Sequence, residues 1–462
     1  MAKLKQKMYD NCYFVCLVTI FLIGMLIYLS ESTSNVPVMD YWRYLNALVD
    51  KFFTKGISFS DLYSNNGIHR TPVQLFLFLL NIVLFHWNTQ ISIYLGAVIL
   101  CITACVLYKI MKPTFTNKGI GYYLCIFIMV LTVFTLGSYE ILLLEFSTSF
   151  ALRNLTFITG YYWTNIFLEN NQKWDSRACY LSMYYIFVIC AMGGAYSMGF
   201  AASVLFVLFF DFCKKMRKKE GVCYRNYVVL SLGVIFGVSL YLYGVTDLST
   251  GNIGGSFDIL QLLYFFFHGT LIVLGSSLVG NGLSVEMLTF FGIMVLMIHF
   301  ICIYLYVSNR IYEITYIPIF MYIYLAIFIV MILMGRNTNG VEYLSASRYI
   351  CDSSMGIISD VIILSFYLSK SKIVFVKRKI MSYFLIGILC LGTFYADITE
   401  LKISKYRKIY YDNLIEMMLN LDDYTDDELT PFQAQMPEQV RNGVMLMKKY
   451  RLGIFYNIDM ER

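Results

Sequence analysis

Apolar runs long enough to cross a bilayer recur along most of this chain, and they constrain its fold more than any other feature. About 20 apolar residues carry an α-helix through the hydrocarbon core. A backbone in that core has no water to bond, so it must satisfy its own N–H and C=O groups as helices or as a closed barrel. The runs are of helix length, and six prolines are few for an all-β chain of 462 residues. Charged residues make up only 14% of the chain and apolar ones 58%, against about 25% and 45–50% in an ordinary soluble domain. The expected fold class is therefore all-α, a polytopic membrane protein.

The side of each loop follows from its Lys and Arg, which stay cytoplasmic in short connections. Lys3, Lys5 and Lys7 place the N-terminus inside, and the apolar run behind them reads as a retained first span, 13–30, with no small-residue cleavage pattern. KIMKPTFTNK, NNQKWDSRA, KKMRKKEG, SNR and KSKIVFVKRK all fall inside if two apolar stretches do not cross. These are 72–87, which is short and begins with Pro72, and 259–280, which holds His268 and several glycines. About eleven transmembrane helices plus two interfacial or re-entrant helices result. Residues 1–396 form the membrane domain, with a first outer loop at 31–91. Residues 397–462 form a small extracytoplasmic tail, in which LDDYTDDELTP is loop or helix cap between short helices.

Several classes of function are set aside. No basic stripe interleaved with exposed aromatics points to nucleic acid. The twelve cysteines sit mostly inside apolar runs without CxxC or Cys/His spacing, so no metal site is expected from them. No Gly-rich phosphate loop follows a strand.

The unusual polar residues gather on the outer side. Asp40 and Asp50 lie in MDYWRYLNALVDKFF, whose apolar residues recur at helical spacing, as in a helix lying flat on the membrane. His69 and Arg70 stand in NNGIHRTP, Glu140 and Glu145 in GSYEILLLEF, and Arg336, Glu342, Arg348 and Tyr349 in GRNTNGVEYLSASRY. Each has a plain alternative. Asp40 is either a helix cap or a base, and His69 either a loop residue or a base. The arginines either hold an anion or snorkel to headgroups. Outer arginines run against the usual charge bias, and a phosphate is the natural anion for them. Glu140 and Glu145 either end a helix or act in chemistry, and a carboxylate among LLL and Phe is costly without a partner. His299, inside a span, reads as a hydrogen-bonded packing residue. Carboxylates and arginines together at a lipid surface suit chemistry on a lipid-linked phosphate: one takes a proton from an acceptor hydroxyl, the others stabilise the departing phosphate.

A first span, then an Asp in a long outer loop with flat helices, then about ten more spans, is similar to the GT-C class of integral-membrane glycosyltransferases. MDYW, NNGIHRTP and GRNTNGVEYLSASRY also resemble a broad group of bacterial membrane proteins with HR and G…SRY elements. The first resemblance implies a polyprenyl-phosphate-linked sugar donor and an extracytoplasmic glycan or lipid acceptor, at the cytoplasmic membrane of a bacterium. It gives the base role to Asp40 and a second acidic role to Glu140 or Glu145. No DxD stands in the second outer loop, which leaves a divalent metal cofactor open, and no WWDxG-type element is present. A lipid-linked glycan transporter or flippase, a polysaccharide polymerase and a non-catalytic assembly or anchoring protein are the rival readings. The first would carry inverted repeats and charges near mid-membrane. The second would use outer arginines without an acidic base in the first loop.

Overall fold

The computed structural model describes residues 2–63, 69–114, 119–169, 173–245, 259–336, 340–369, 376–432 and 436–456. The loop TDLSTGNIGGSFD, most of KSKIVFVKRK, the start of NNGIHRTP, the middle of GRNTNGVEYLSASRY and parts of KIMKPTFTNK and NNQKWDSRA lie outside the described residues, as do the side chains of Lys3, Lys5 and Lys7.

Every regular element among the described residues is a helix. Ten are long and apolar enough to cross a membrane: Tyr9–Ser32, Thr89–Met111, Ile120–Leu142, Gly194–Arg217, Tyr224–Leu242, Leu260–Val279, Val285–Ser308, Ile317–Gly335, Ser347–Leu368 and Lys379–Leu419. Pro72–Phe85 and Arg177–Met192 are shorter apolar helices. Ser147–Glu169 has the length of a span at 23 residues but a more polar sequence. Its polar residues Arg153, Asn154, Thr164 and Asn165 are buried and hydrogen-bonded within the bundle. Low hydropathy here marks an inward-facing stripe.

One end of the bundle is closed by a polar knot. Asp211 accepts hydrogen bonds from the hydroxyls of Tyr227 and Tyr316, each at 2.5 Å, and pairs with Lys215 at 3.0 Å. Lys215 also donates to the carbonyl of Leu168 at 2.6 Å, so the ends of four helices meet there. The other end opens into a cleft. The first helix runs between them: near its start Asn11 accepts from Tyr108 and Lys112, and beyond its end Thr33 donates to the carbonyl of Leu143.

Two apolar helices make contacts at the cleft end. Pro72–Phe85 begins beside the cleft residues Thr71 and Gln74, and its far end turns through His86 and Trp87, both at positive φ, to bring the Trp87 indole onto Glu145. Ile259–Val279 passes Leu333 and Leu344 at Gly269 and leads to Gly280, against Ala396. It crosses Val285–Ser308 in backbone contact, because a Cβ on Gly275 would lie 1.9 Å from the Leu288 carbonyl oxygen and one on Gly292 1.9 Å from that of Leu271. Small residues permit this kind of close crossing.

The C-terminal segment is continuous with the bundle. The boundary at 396/397 falls inside one continuous helix, Val376–Leu419, of 44 residues. At 1.5 Å per residue it is about 66 Å long, roughly twice the hydrocarbon core. Its C-terminal half is tied to the first long helix: Tyr28 donates to Glu400 at 2.8 Å and Lys408 to the carbonyl of Thr33 at 2.9 Å. Past 3-10 turns at Leu421–Asp423 and Asp427–Leu429, the helix Pro437–Tyr450 returns over the loop that follows the first long helix. Gly443 sits where a Cβ would meet Trp42 at 2.5 Å and Leu45 at 2.7 Å, and Lys449 pairs with Asp50 at 2.7 Å. The tail is a clamp on that loop.

Candidate functional site

A cleft of about 170 Å³ lies at the open end of the bundle, room for on the order of ten water molecules. Asp40, His69, Glu140, Arg336, Arg348 and Tyr349 all line it. Segments separated by up to 309 positions thus meet there. Arg153, which the sequence reading passed over, lines it as well.

Asp40 precedes a short helix, Tyr41–Tyr44, as a cap would, yet its side chain makes no capping hydrogen bond. Its own backbone is already helical, at φ −65° and ψ −12°, whereas a capping Asp usually adopts an extended conformation to reach back. What aims it is the residue before it. Met39 holds a positive φ of 59°, unusual for a non-glycine residue, and its N–H donates to the Phe432 carbonyl at 2.8 Å. The tail clamp therefore holds the turn that presents Asp40. The carboxylate is 47% exposed, with Arg43 at 3.7 Å.

Glu140 faces the segment Ser347–Tyr349 and is engaged there. It accepts from Arg348 Nη1 at 3.1 Å, from the Arg348 backbone N–H at 3.3 Å and from Ser347 Oγ at 3.2 Å, while its own N–H donates to that hydroxyl at 3.1 Å. Arg348 also donates to the Tyr343 hydroxyl. Arg336 donates from Nε to Tyr349 at 3.2 Å and lies over the Tyr343 ring. Two tyrosines and one carboxylate thus orient two guanidiniums along one wall. The buried Asp397 accepts from Thr135 Oγ1 at 2.9 Å and from the Leu136 N–H at 2.8 Å, fixing the turn that leads into Glu140.

His69 is held below its ordinary pKa, first by burial and then by Arg153 and Arg336, with Asp40 opposing. Its Nδ1 accepts from the Ala195 N–H at 3.4 Å, so in the neutral ring the proton resides on Nε2. Arg70 is turned away: its Nη1 donates to the carbonyls of Tyr241 at 3.0 Å and Leu240 at 3.4 Å, it sits over Tyr63, and it is not among the residues lining the cleft. Glu145 lies buried behind the cleft, with both oxygens on the Trp87 indole N–H at 2.8 and 2.9 Å. Burial pushes its carboxyl up to about 8, against the opposing indole bond.

Arg153 completes the floor. Its Nη2 bonds both oxygens of Asp352 at 2.5 and 2.6 Å, its Nε donates to Asn154 at 3.1 Å, and Phe150 and Tyr196 stack on its guanidinium within 4.4 Å. Side-chain exposures of 3% and 1% make this a fully buried ion pair. A signal for it was present in the sequence: one arginine in the helical stretch ALRNLTF and one aspartate in CDSSMG, each too costly at that depth without the other. Among the described residues, no group of three or more His, Cys, Asp or Glu is placed to hold a metal ion.

Comparison with protein-family models, with curated proteins and with solved structures found no match.

Proposed function

We propose that the protein is an inverting membrane glycosyltransferase that moves a sugar from a polyprenyl-phosphate carrier to an extracytoplasmic acceptor. The observation that carries this reading is a half-exposed carboxylate, Asp40, not engaged in capping, in one cleft with the oriented guanidiniums of Arg336 and Arg348. In the step proposed, the acceptor hydroxyl gives its proton to Asp40 as its oxygen bonds to the anomeric carbon. The bond from that carbon to the phosphate oxygen breaks on the opposite face, and the phosphate leaves with the electron pair. Arg336 and Arg348 stabilise the charge that develops on it.

On this reading the other roles are distributed differently from the sequence expectation. Glu140 sets the position of Arg348. His69 serves as an Nε2–H donor. Arg153 takes the place first given to Arg70, and Glu145 supports the loop from behind. The membrane topology that goes with this reading has eleven crossings, the N-terminus inside and the cleft outside. Pro72–Phe85 and Ile259–Val279 then lie at the outer level, supported by contacts of the latter with Leu333, Leu344 and, through Gly280, Ala396.

The deciding test is sugar transfer from a panel of polyprenyl-phosphate sugars by wild type and Asp40→Asn at matched membrane levels. Asn keeps the shape but takes no proton, so a loss of about a hundredfold or more is expected. Equal transfer by the variant would end the assignment of Asp40 as base.

One observation favours a second reading, movement of a lipid-linked glycan. His299 Nδ1 lies 2.7 Å from Asp360 Oδ2, Tyr322 donates to the other oxygen, and Asp360 is fully buried between helices. Buried ionisable groups at that depth mark transport paths in many membrane proteins. Purified protein that moves a labelled carrier-linked sugar between leaflets, loses that movement in Asp360→Asn and transfers no sugar would replace the enzymatic reading with this one.

A further inference from the structure

A second concavity lies at the other end of the bundle, independent of the cleft and of the reading given to it. It is a groove of about 890 Å³ between the helices Ser197–Arg217, Val285–Ser308 and Ile317–Gly335. Its walls along the helices are apolar: Phe206, Ile303 and Val307 are exposed there, at 44%, 39% and 57%. Tyr322 presents its ring, since its hydroxyl is bonded to the buried Asp360. On a membrane helix such exposed apolar side chains face acyl chains.

The rim has the opposite character. Where the helices end, Lys214, Arg217, Lys218 and Arg310 surround the groove, with Glu313 as its one carboxylate. Lys218 is neutralised by Glu313 at 2.9 Å, and Lys214 lies 3.6 Å from Asp211. Arg217 and Arg310 form no salt bridge within 4 Å among the described residues, and both are exposed; Arg310 adds, after Lys218, to the positive field on Glu313. Charge bias of short loops explains basic residues at this end, but not four cations gathered around a single carboxylate at the mouth of an apolar groove.

We infer that this groove is a binding site for an anionic membrane phospholipid. One acyl chain lies along Phe206, Ile303 and Val307, and the headgroup phosphate rests between Arg217 and Arg310. The occupant is an amphiphile because the walls are apolar over about one and a half helical turns, some 8 Å, while the mouth is cationic. A transmembrane helix of a partner would leave the two arginines unmatched. Basic pockets between membrane helices bind anionic headgroups by this combination.

The test uses the full chain reconstituted in vesicles of equal parts dioleoyl-phosphatidylglycerol and dioleoyl-phosphatidylcholine, re-extracted in mild detergent. Lipids that remain bound are counted by native mass spectrometry. Wild type should retain phosphatidylglycerol in preference to phosphatidylcholine by about tenfold or more, and Arg217→Gln/Arg310→Gln should abolish that preference. Val307→Trp, which keeps every charge and fills the groove from an exposed position, should lower phosphatidylglycerol retention as well. Equal retention of the two lipids by wild type would overturn the proposal, as would undiminished preference in the folded arginine variant or undiminished phosphatidylglycerol retention in folded Val307→Trp.

Discussion

The buried Arg153–Asp352 pair at the cleft floor allows a sharp test of what holds the site together. In Asp352→Leu the guanidinium loses both charge-assisted bonds, at 2.5 and 2.6 Å, and keeps only Asn154 and the flanking rings of Phe150 and Tyr196. With the pair almost wholly removed from solvent, stranding the cation costs about 3–5 kcal/mol. Arg153→Met strands the carboxylate in turn, leaving it the Tyr324 hydroxyl at 2.5 Å, at about the same cost. The double variant Arg153→Met/Asp352→Leu strands neither charge. Its stability should return to within about 1–2 kcal/mol of wild type, because a buried ion pair replaced by apolar groups is close to neutral. The assay is unfolding in mixed detergent–SDS micelles followed by tryptophan fluorescence, on all four proteins. A double variant whose loss equals the sum of the two single losses within about 0.5 kcal/mol would show no coupling and refute the argument. Under the glycosyltransferase reading, the stable double variant transfers sugar poorly, because the cleft has lost a cation while the fold is kept.

Other outcomes follow from individual contacts. The carboxyl of Glu145 is pushed up to about 8 by burial, from an ordinary value of 4.5, so the unfolded chain releases that proton first. Stability from this group is complete below about 4.5 and is lost as pH rises toward 8; Glu145→Gln, which cannot ionise, should gain on wild type by on the order of a few kcal/mol across that window, measured by SDS unfolding at pH 5 and pH 8. Gly443→Val places a branched side chain where even a Cβ meets Trp42 at 2.5 Å, so the tail should lift from the first outer loop and become protease-sensitive, with transfer reduced; a protected tail would contradict the clamp. Arg70→Gln and Arg336→Gln should separate. The first loses bonds to the carbonyls of residues 240 and 241 and lowers stability with donor KM unchanged. The second should raise donor KM by about tenfold, the worth of a charge-assisted contact of about 1.5 kcal/mol; equal KM effects would show that the cleft is not where donor binds.

The membrane character of this chain was settled by composition and by the length of its apolar runs, because hydrocarbon imposes one requirement on any backbone and helices of that length meet it. The outer-loop residues worth watching were also visible as local anomalies: a carboxylate after a span, arginines against the charge bias, a glutamate among leucines. Whether these anomalies share a place was not visible, because position along a chain says nothing about how helix ends are arranged around a bundle. Packing brought Asp40, His69, Glu140, Arg336, Arg348 and Tyr349 to one cleft and sent Arg70 to two carbonyls outside it. It set Ser147–Glu169 among the long helices despite its polarity, since Arg153 and Asp352 neutralise each other only once their helices touch. Tertiary contact likewise ties the C-terminal segment to the turn before Asp40, through a hydrogen bond from Met39 to Phe432 that no local pattern announces. Solvent preference is written residue by residue and can be read from sequence, whereas the pairing of buried polar groups depends on which helices become neighbours.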